Sequence, residues 1–162
     1  MQRALEMLAR TDAASSVRVS RIYESPPWGF ASEHAFLNAV VELRWAGPPL
    51  ALLEQCYRIE AALGRHPHPE QPAVGGEQRY SDRAIDLDLL WFEGITCSSP
   101  QLTLPHPRAC QRAFVLLPWM GLAPELELDG RVIGDWLAEI DRDEIEAVRP
   151  CPEFELLVPG PD

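Results

Sequence analysis

The chain has 162 residues, of which 46% are hydrophobic, so we expect one globular domain spanning residues 1–162. Its 14 basic and 25 acidic residues give a formal net charge of −11, which argues against the basic surface that nucleic-acid binding requires. Every basic residue is Arg, so a phosphate-binding loop built around Lys is excluded. No run of 18 apolar residues predicts a membrane span and the cysteines lack metal-binding spacing, so we expect a cytoplasmic protein with reduced thiols.

The first half of the chain is predicted to begin with a helix and to continue with two strands and a second helix. Apolar residues at helical spacing predict the first helix, and alternating apolar and polar residues predict both strands. In the second helix, Pro49 suits the first turn and Gly64 suits the C-terminal cap. In chain order, the elements are a helix over 3–12, a strand over 16–24, a loop over 25–29, a strand over 36–45 and a helix over 47–65.

The second half begins with a long loop over 65–79, whose three prolines and two glycines exclude a regular element and favour a mobile lid. From Ala113 onward there are twelve acidic residues and three Arg, so we interpret 125–162 as an acidic, solvated C-terminal extension. The other predicted elements are a strand over 84–92, a turn at Glu93-Gly94, a short strand near Ile95, an extended segment over 100–108, helices over 109–120 and 133–140, and a strand over 154–158.

The order of these elements predicts the fold class. Helix, strand, strand, helix and strand make up the β-α-β-β-α-β pattern without its leading strand. We therefore expect an α+β, ferredoxin-like sandwich with an antiparallel sheet, in which the N-terminal β-strand is missing. Glu6 and Asp12 interrupt the N-terminal segment, which argues against a signal peptide.

The predicted strand over 84–92 carries two carboxylates on one face. Asp86 and Asp88 are two residues apart, and residues i and i+2 of a strand point to the same side. Paired carboxylates repel each other without a cation, and Mg²⁺ binds such oxygens together with water and substrate phosphate. The alternative is a strand whose polar face is simply solvated, and two aspartates alone do not decide between these interpretations.

Arginines gather near the Asp pair in sequence, although the chain as a whole is acidic. A guanidinium group binds phosphate oxygens through two parallel hydrogen bonds, so this grouping favours a polyphosphate ligand that carries a metal ion. Taken singly, each of these residues is more typical of a charged surface. The group consists of Arg65, Arg79, Arg83, His106, Arg108 and Arg112.

Six short blocks follow one another in an order that is specific to one enzyme family: YESPPWG, FLNAVVEL, YRIEAALGR, SDRAIDLDLL, LTLPHPR and RAFVLLP. They resemble the signature of 6-hydroxymethyl-7,8-dihydropterin pyrophosphokinase, and the resemblance extends from the first helix to about residue 130. It implies transfer of pyrophosphate from ATP to the pterin alcohol in folate biosynthesis, giving AMP and the pterin diphosphate. It also implies two Mg²⁺ ions and the small-molecule substrates ATP and the pterin alcohol. We expect neither nucleic acid nor membrane as a partner, and the sequence leaves protein partners open.

Position by position, the resemblance implies three groups of site residues. The catalytic group is Arg65, Arg83, Asp86 and Asp88, of which Asp86 and Asp88 would hold the metal ions. The ATP-binding group is Tyr57, Glu60, Arg79, Tyr80, Leu89, Thr103, His106 and Arg112. The pterin-binding group is Ser25, Pro26, Pro27, Trp28, Phe36, Asn38 and Phe114. A flat pterin suits an aromatic sandwich of Phe36 and Phe114, although from sequence alone both are simpler to interpret as ordinary core residues.

The sequence departs from this family at its start, where the first strand is missing and Met1 lies in or beside the first helix. We expect this to leave two rows of backbone groups unpaired and to remove one wall of the pterin pocket, unless the start of the chain was placed too late, or residues 154–158 or a neighbouring subunit take the position. The loop over 65–79 is longer than usual, and Pro107 replaces an aromatic residue. Two alternatives remain: a degenerate, non-catalytic ATP- and pterin-binding module, and a metal-dependent phosphohydrolase.

Overall fold

The computed structural model describes residues 1–29, 33–65 and 84–160. In these ranges the helices are α1 Gln2–Ala9, α2 Pro49–Ala62, a 3-10 helix Ala109–Gln111, α3 Ala113–Leu122, α4 Ile133–Leu137 and α5 Arg142–Ala147. The strands are β1 Ala14–Val19, β2 Tyr23–Ser25, β3 Phe36–Asn38, β4 Val41–Trp45, β5 Cys97–Ser98, β6 Thr103–Leu104, β7 Glu127–Leu128, β8 Arg131–Val132 and β9 Arg149–Pro150.

The strands of these described ranges form small sheets, and every pair in them is antiparallel. β1 pairs with β4, β2 lies between β3 and β9, β5 pairs with β6, and β7 pairs with β8. Helices and antiparallel strands are therefore mixed along the chain, which confirms the predicted α+β class.

Both long strands predicted in the first half of the chain are divided in two, and the four pieces form one bent hairpin. β1 and β4 pair as far as Val19 opposite Val41, and β2 and β3 pair again from Tyr23 opposite Asn38. The first strand therefore holds one residue more than its partner between the two ladders, which is the arrangement of a β-bulge.

Ser20 explains why the hairpin bends at this place. Its N–H donates to the carbonyl of Val40 and its Oγ accepts from the N–H of Val40, both at 2.9 Å. Because the buried hydroxyl takes a backbone donor that a regular ladder would use, the chain turns here, and β2 and β3 pack against α3.

The helices α1 and α2 pack together and form one part of the core. Ala4 and Leu8 of α1 are buried against Cys56 and Ile59 of α2. Gly64 follows α2 with a φ of +92°, a conformation that favours glycine, so the predicted helix end is confirmed. The partly buried side chains that pack on this cluster from the strand side are Leu43, Trp45, Ile85, Leu87 and Leu89.

The prediction of a strand over 84–92 is wrong, because no strand of the described residues pairs with this segment. Its residues nevertheless alternate between exposed and partly buried as far as position 89. Its backbone groups bond elsewhere: Leu87 N–H donates to Glu60 at 2.7 Å, and the Leu90 carbonyl accepts from His106 N–H at 2.7 Å. Alternation thus predicted side-chain direction correctly, whereas pairing depends on a neighbouring strand.

The residues after α3 complete the second part of the core. β7 and β8 are joined by Asp129 and Gly130, whose φ values of 51° and 75° suit the two-residue turn that joins twisted strands. The helix predicted over 133–140 is shorter, because α4 ends at Leu137. The buried side chains of this part include Leu116, Trp119, Leu122, Leu128, Ile133 and Leu137.

The prediction of a strand over 154–158 is also wrong, because these described residues form no strand. Leu157 lies instead beside α1, where its N–H donates to Gln2 Oε1 at 3.0 Å and its carbonyl accepts from Gln2 Nε2 at 2.9 Å. The side chain of Gln2 therefore satisfies backbone groups that a strand neighbour would otherwise take. Within the described residues, no helix has the length and apolar character needed to cross a lipid bilayer.

Candidate active site

A groove of about 330 Å³ lies beside the Asp pair, between α2 and the β5–β6 hairpin. Asp86 and Asp88 both line it, and each side chain is 48% exposed. Because the residues next to them pack toward the α1–α2 core, both carboxylates leave the segment on the same side, as their spacing predicts. The other predicted site residues that line this groove are Tyr57, Arg65, Leu89, Thr103 and His106.

Glu60 connects the C-terminal end of α2 with residues 84–92, the segment that carries Asp86 and Asp88 and is called the Asp segment below. It is only 2% exposed, accepts the hydrogen bond from Leu87 N–H and forms an ion pair with Arg65. Arg65 also contacts Asp86 Oδ1 at 2.9 Å. Burial raises the pKa of Glu60, while the Leu87 N–H and Arg65 oppose this shift by stabilising the charged form. The carboxylate that was predicted to contact ATP is thus engaged inside the protein.

Arg112 lies between the carboxylate pair and two aromatic rings. Its Nη1 is 4.0 Å from Asp88 Oδ2, and its Cζ is 4.8 Å from the centre of the Trp28 ring and 5.6 Å from that of Phe114. The rings of Trp28 and Phe114 meet edge to face, with centres 6.5 Å apart. The Arg112 side chain is only 11% exposed, so these cation–π contacts are largely desolvated. Arg112 therefore connects the groove with the aromatic rings.

His106 also lines the groove, and it follows β6 in the chain. Its Nδ1 accepts a hydrogen bond of 3.2 Å from the N–H of Arg108. Burial lowers the pKa of His106, and Asp88 opposes this shift whereas Arg112 and Arg108 add to it. The imidazole is therefore neutral at pH 7, and its other nitrogen, Nε2, carries the proton and can donate to a ligand.

Except for Phe114 on α3, the residues predicted to bind a pterin lie on β2 and β3 and just after β2. Asn38 donates through its amide nitrogen to Ser25 Oγ at 3.0 Å and to the Phe36 carbonyl at 3.1 Å. α3, which carries Phe114, packs against both strands. The ring that meets Phe114 edge to face is Trp28, which was not part of the predicted sandwich. The residues that follow β2 directly are Pro26, Pro27 and Trp28.

Three predicted site residues, Arg79, Tyr80 and Arg83, lie outside the described residues, as does the loop over 65–79 beyond its first residue. Among the residues that are described, no group of three or more His, Cys, Asp or Glu side chains could hold a metal ion. The two half-exposed carboxylates at the groove suit Mg²⁺, which often takes one or two protein carboxylates and completes its shell with water and substrate phosphate.

Besides the ring contact of Trp28 with Phe114, two further contacts at the site were not predicted from the sequence. Glu144 Oε1 accepts a 2.9 Å hydrogen bond from Ala113 N–H across 31 residues, and no motif signals a contact of that separation. The anchoring role of Glu60 did have a signal. It follows Cys56 by four residues on the buried face of α2, and a carboxylate on a buried helix face requires partners.

Comparison with known proteins identifies relatives over most of the chain. Residues 1–124 match the model of the family described as 7,8-dihydro-6-hydroxymethylpterin-pyrophosphokinase. Three relatives are each named 2-amino-4-hydroxy-6-hydroxymethyldihydropteridine pyrophosphokinase. The Methylorubrum extorquens protein is 41% identical over 145 residues, 90% of this chain and 86% of its own length. The Porphyromonas gingivalis protein is 45% identical over 124 residues, which are 76% of this chain and 80% of its own length. The Bacillus subtilis protein is 35% identical over 127 residues, which are 78% of this chain and 71% of its own length.

Proposed function

The chain belongs to the 7,8-dihydro-6-hydroxymethylpterin-pyrophosphokinase family, and we propose that it transfers pyrophosphate from ATP to 6-hydroxymethyl-7,8-dihydropterin in folate biosynthesis. The observation that carries this proposal is that both carboxylates of the pair line one groove and that each has an arginine beside it. Arg65 contacts Asp86, and Arg112 lies near Asp88. This is the charge arrangement that a metal–polyphosphate ligand requires.

We assign the nucleotide to the groove and the pterin to the region around Trp28, Phe114 and Asn38. Neutral His106 offers a donor to the nucleotide, and the edge-to-face rings leave aromatic surface for a flat heterocycle. Arg112 contacts both regions, so it would lie where the β-phosphate meets the pterin hydroxyl. The roles of Arg79, Tyr80 and Arg83 are proposed from the sequence resemblance alone.

The chemistry requires little covalent participation by the protein. The pterin hydroxyl oxygen loses its proton to water and forms a bond to the β-phosphorus, the bond from that phosphorus to the α–β bridging oxygen breaks, and AMP leaves with that oxygen. Arg65 and Arg112 orient the phosphates and stabilise the charge of the transferring group. Bound by Asp86 and Asp88, two Mg²⁺ ions would supply further neutralisation of phosphate charge.

We further propose a ferredoxin-like arrangement, because α1 and α2 pack side by side against β4 and the Asp segment, as the helices of such a sandwich do. All four cysteines lie in the described ranges and carry free thiols, which supports the proposed cytoplasmic setting.

An AMP-release assay tests the function and its two alternatives. With ATP, Mg²⁺ and the pterin alcohol, we expect AMP and pterin diphosphate in equal amounts. A degenerate binding module would bind the ligands without forming AMP, and a phosphohydrolase would release phosphate without the pterin. Asp88→Asn should lower turnover by roughly a hundredfold or more. Asp135→Asn, which changes an exposed carboxylate on α4, is the matched control and should remain active.

A further inference from the structure

The segment after residue 124, which lies beyond the family match, contacts the proposed site through α5 and β9. α5 packs against α3, and Glu144 of α5 accepts the hydrogen bond from Ala113 N–H at 2.9 Å. β9 follows α5 after one residue and pairs with β2, with Arg149 opposite Glu24. The two elements thus hold the start of α3 and the strand that leads to Trp28.

Glu144 supplies a cap that the start of α3 does not have locally. The first N–H groups of a helix have no partner within the helix, and the residue before α3, Arg112, makes no side-chain cap bond. A carboxylate at this end forms a charge-assisted hydrogen bond and interacts favourably with the helix dipole. Ala113 is fully buried, so water does not reach its N–H while Glu144 is in place.

The geometry of α5 keeps Glu144 turned toward α3. Asp141 caps α5, because its Oδ1 accepts from Asp143 N–H at 2.8 Å. On the exposed side of the same helix, Arg142 pairs with Glu146, with side chains 89% and 61% exposed. Glu144 therefore differs from its neighbours in making its contact with another helix rather than within α5.

The hydrogen bond to Ala113 fixes the chain between the two site residues on either side. Arg112 has extended backbone angles, φ −134° and ψ 112°, between the 3-10 helix and α3. Its side-chain direction therefore depends on where α3 begins. The same boundary fixes Phe114, whose ring contacts both Trp28 and the Arg112 guanidinium.

We propose that Glu144 is a positioning residue, which holds the start of α3 so that Arg112 and Phe114 keep their places at the site. The kinetic part of this inference rests on the proposed pyrophosphoryl transfer, whereas the structural part does not. Glu144 touches neither substrate in this assignment and acts only through the two residues on either side of Ala113.

Two variants and a control test the proposal. Glu144→Ala removes the acceptor, Glu144→Gln keeps a neutral oxygen acceptor at the same place, and Glu146→Ala changes an exposed carboxylate of the same helix. We expect kcat/KM for the pterin to fall on the order of tenfold to a hundredfold in Glu144→Ala, because misplacement of orienting groups is costly. The Gln variant should recover most of this loss, and the Glu146 variant should match the wild type.

A readout without catalysis separates positioning from general stability. The side-chain Nε of Arg112 is buried, so we expect its N–H to exchange slowly enough to give its own signal in ¹⁵N NMR spectra of the folded protein. We expect this signal to shift in Glu144→Ala and to keep its wild-type position in Glu144→Gln and Glu146→Ala. An unchanged signal in a folded Glu144→Ala protein would overturn the proposal. If the wild type forms no AMP, the proposed function fails, while the Arg112 signal still decides the role of Glu144.

Discussion

Replacement of Glu60 by Ala tests whether this buried carboxylate anchors the Asp segment or contacts the nucleotide. The change removes the acceptor of Leu87 N–H, which costs about 1–3 kcal/mol. The change also removes the ion pair between Glu60 and Arg65. Because Arg65 keeps Asp86 as a partner and its side chain is 25% exposed, this loss adds only about 0.5–1 kcal/mol to the destabilisation, instead of the 3–5 kcal/mol of a fully buried pair. We expect a free energy of unfolding lower by about 1.5–4 kcal/mol, or a Tm lower by roughly 3–16 °C.

Urea unfolding followed by tryptophan fluorescence measures this difference. Glu60→Gln keeps an oxygen acceptor for Leu87 N–H, so it should lose only about 1 kcal/mol. Glu54→Ala is the matched control on α2, because Glu54 pairs with Arg58 at the exposed surface and should contribute less than about 0.5 kcal/mol. If Glu60→Ala were as stable as this control but had lost its affinity for ATP, the anchoring role would be refuted and the direct nucleotide contact favoured.

Two further predictions concern single side chains. Arg112→Lys keeps a positive charge but loses the planar contact with Trp28, so AMP release should fall by about tenfold or more. The control Arg142→Lys on exposed α5 should leave AMP release unchanged. Equal rates in the two variants would contradict the assignment of Arg112 to the active site. Burial and two nearby carboxylates raise the pKa of Cys56 to about 12, so the thiol should be unreactive in the folded protein and iodoacetamide at pH 8 should label it only in urea. A labelled Cys56 peptide from the native protein would contradict this prediction.

The two helices of the first half of the chain were predictable because their signals are local, whereas α5 was not predicted and the helix predicted over 109–120 is interrupted at the extended backbone of Arg112. Pro49 at the start of α2 and Gly64 after its end act within one turn, and apolar spacing defines the buried face. Strand pairing is different, because it depends on what lies beside the strand. The alternation over 84–92 correctly predicted, as far as position 89, which side chains are exposed and which are partly buried, although this segment pairs with no strand of the described ranges.

The site was predictable at the level of residue types and less so at the level of contacts. The spacing of Asp86 and Asp88 predicted their common side, and their exposure confirms it. The ring contact of Trp28 with Phe114 joins residues 86 positions apart, and the cap from Glu144 crosses 31. Contacts between residues so far apart in the sequence arise from packing of the whole domain, so no local sequence pattern could have predicted them.

The charges at the groove bear on how an acidic protein could bind ATP at all. Three carboxylates, Glu60, Asp86 and Asp88, face two guanidinium groups, Arg65 and Arg112, which gives these five side chains a formal charge of −1. A bare triphosphate gains little from such a group, whereas divalent ions held by the Asp pair would reverse its sign.

This arrangement predicts that one substitution has opposite effects on two forms of ATP. Asp88→Asn should weaken binding of ATP with Mg²⁺ by roughly tenfold or more, because a carboxylate ligand is lost. It should strengthen binding of ATP in EDTA, because it removes a negative charge that otherwise lies 4.0 Å from Arg112. Calorimetric titration with a non-hydrolysable ATP analogue measures both affinities. Because a damaged fold would weaken both, a decrease of the two together would show that Asp88 serves the structure and not the metal ion.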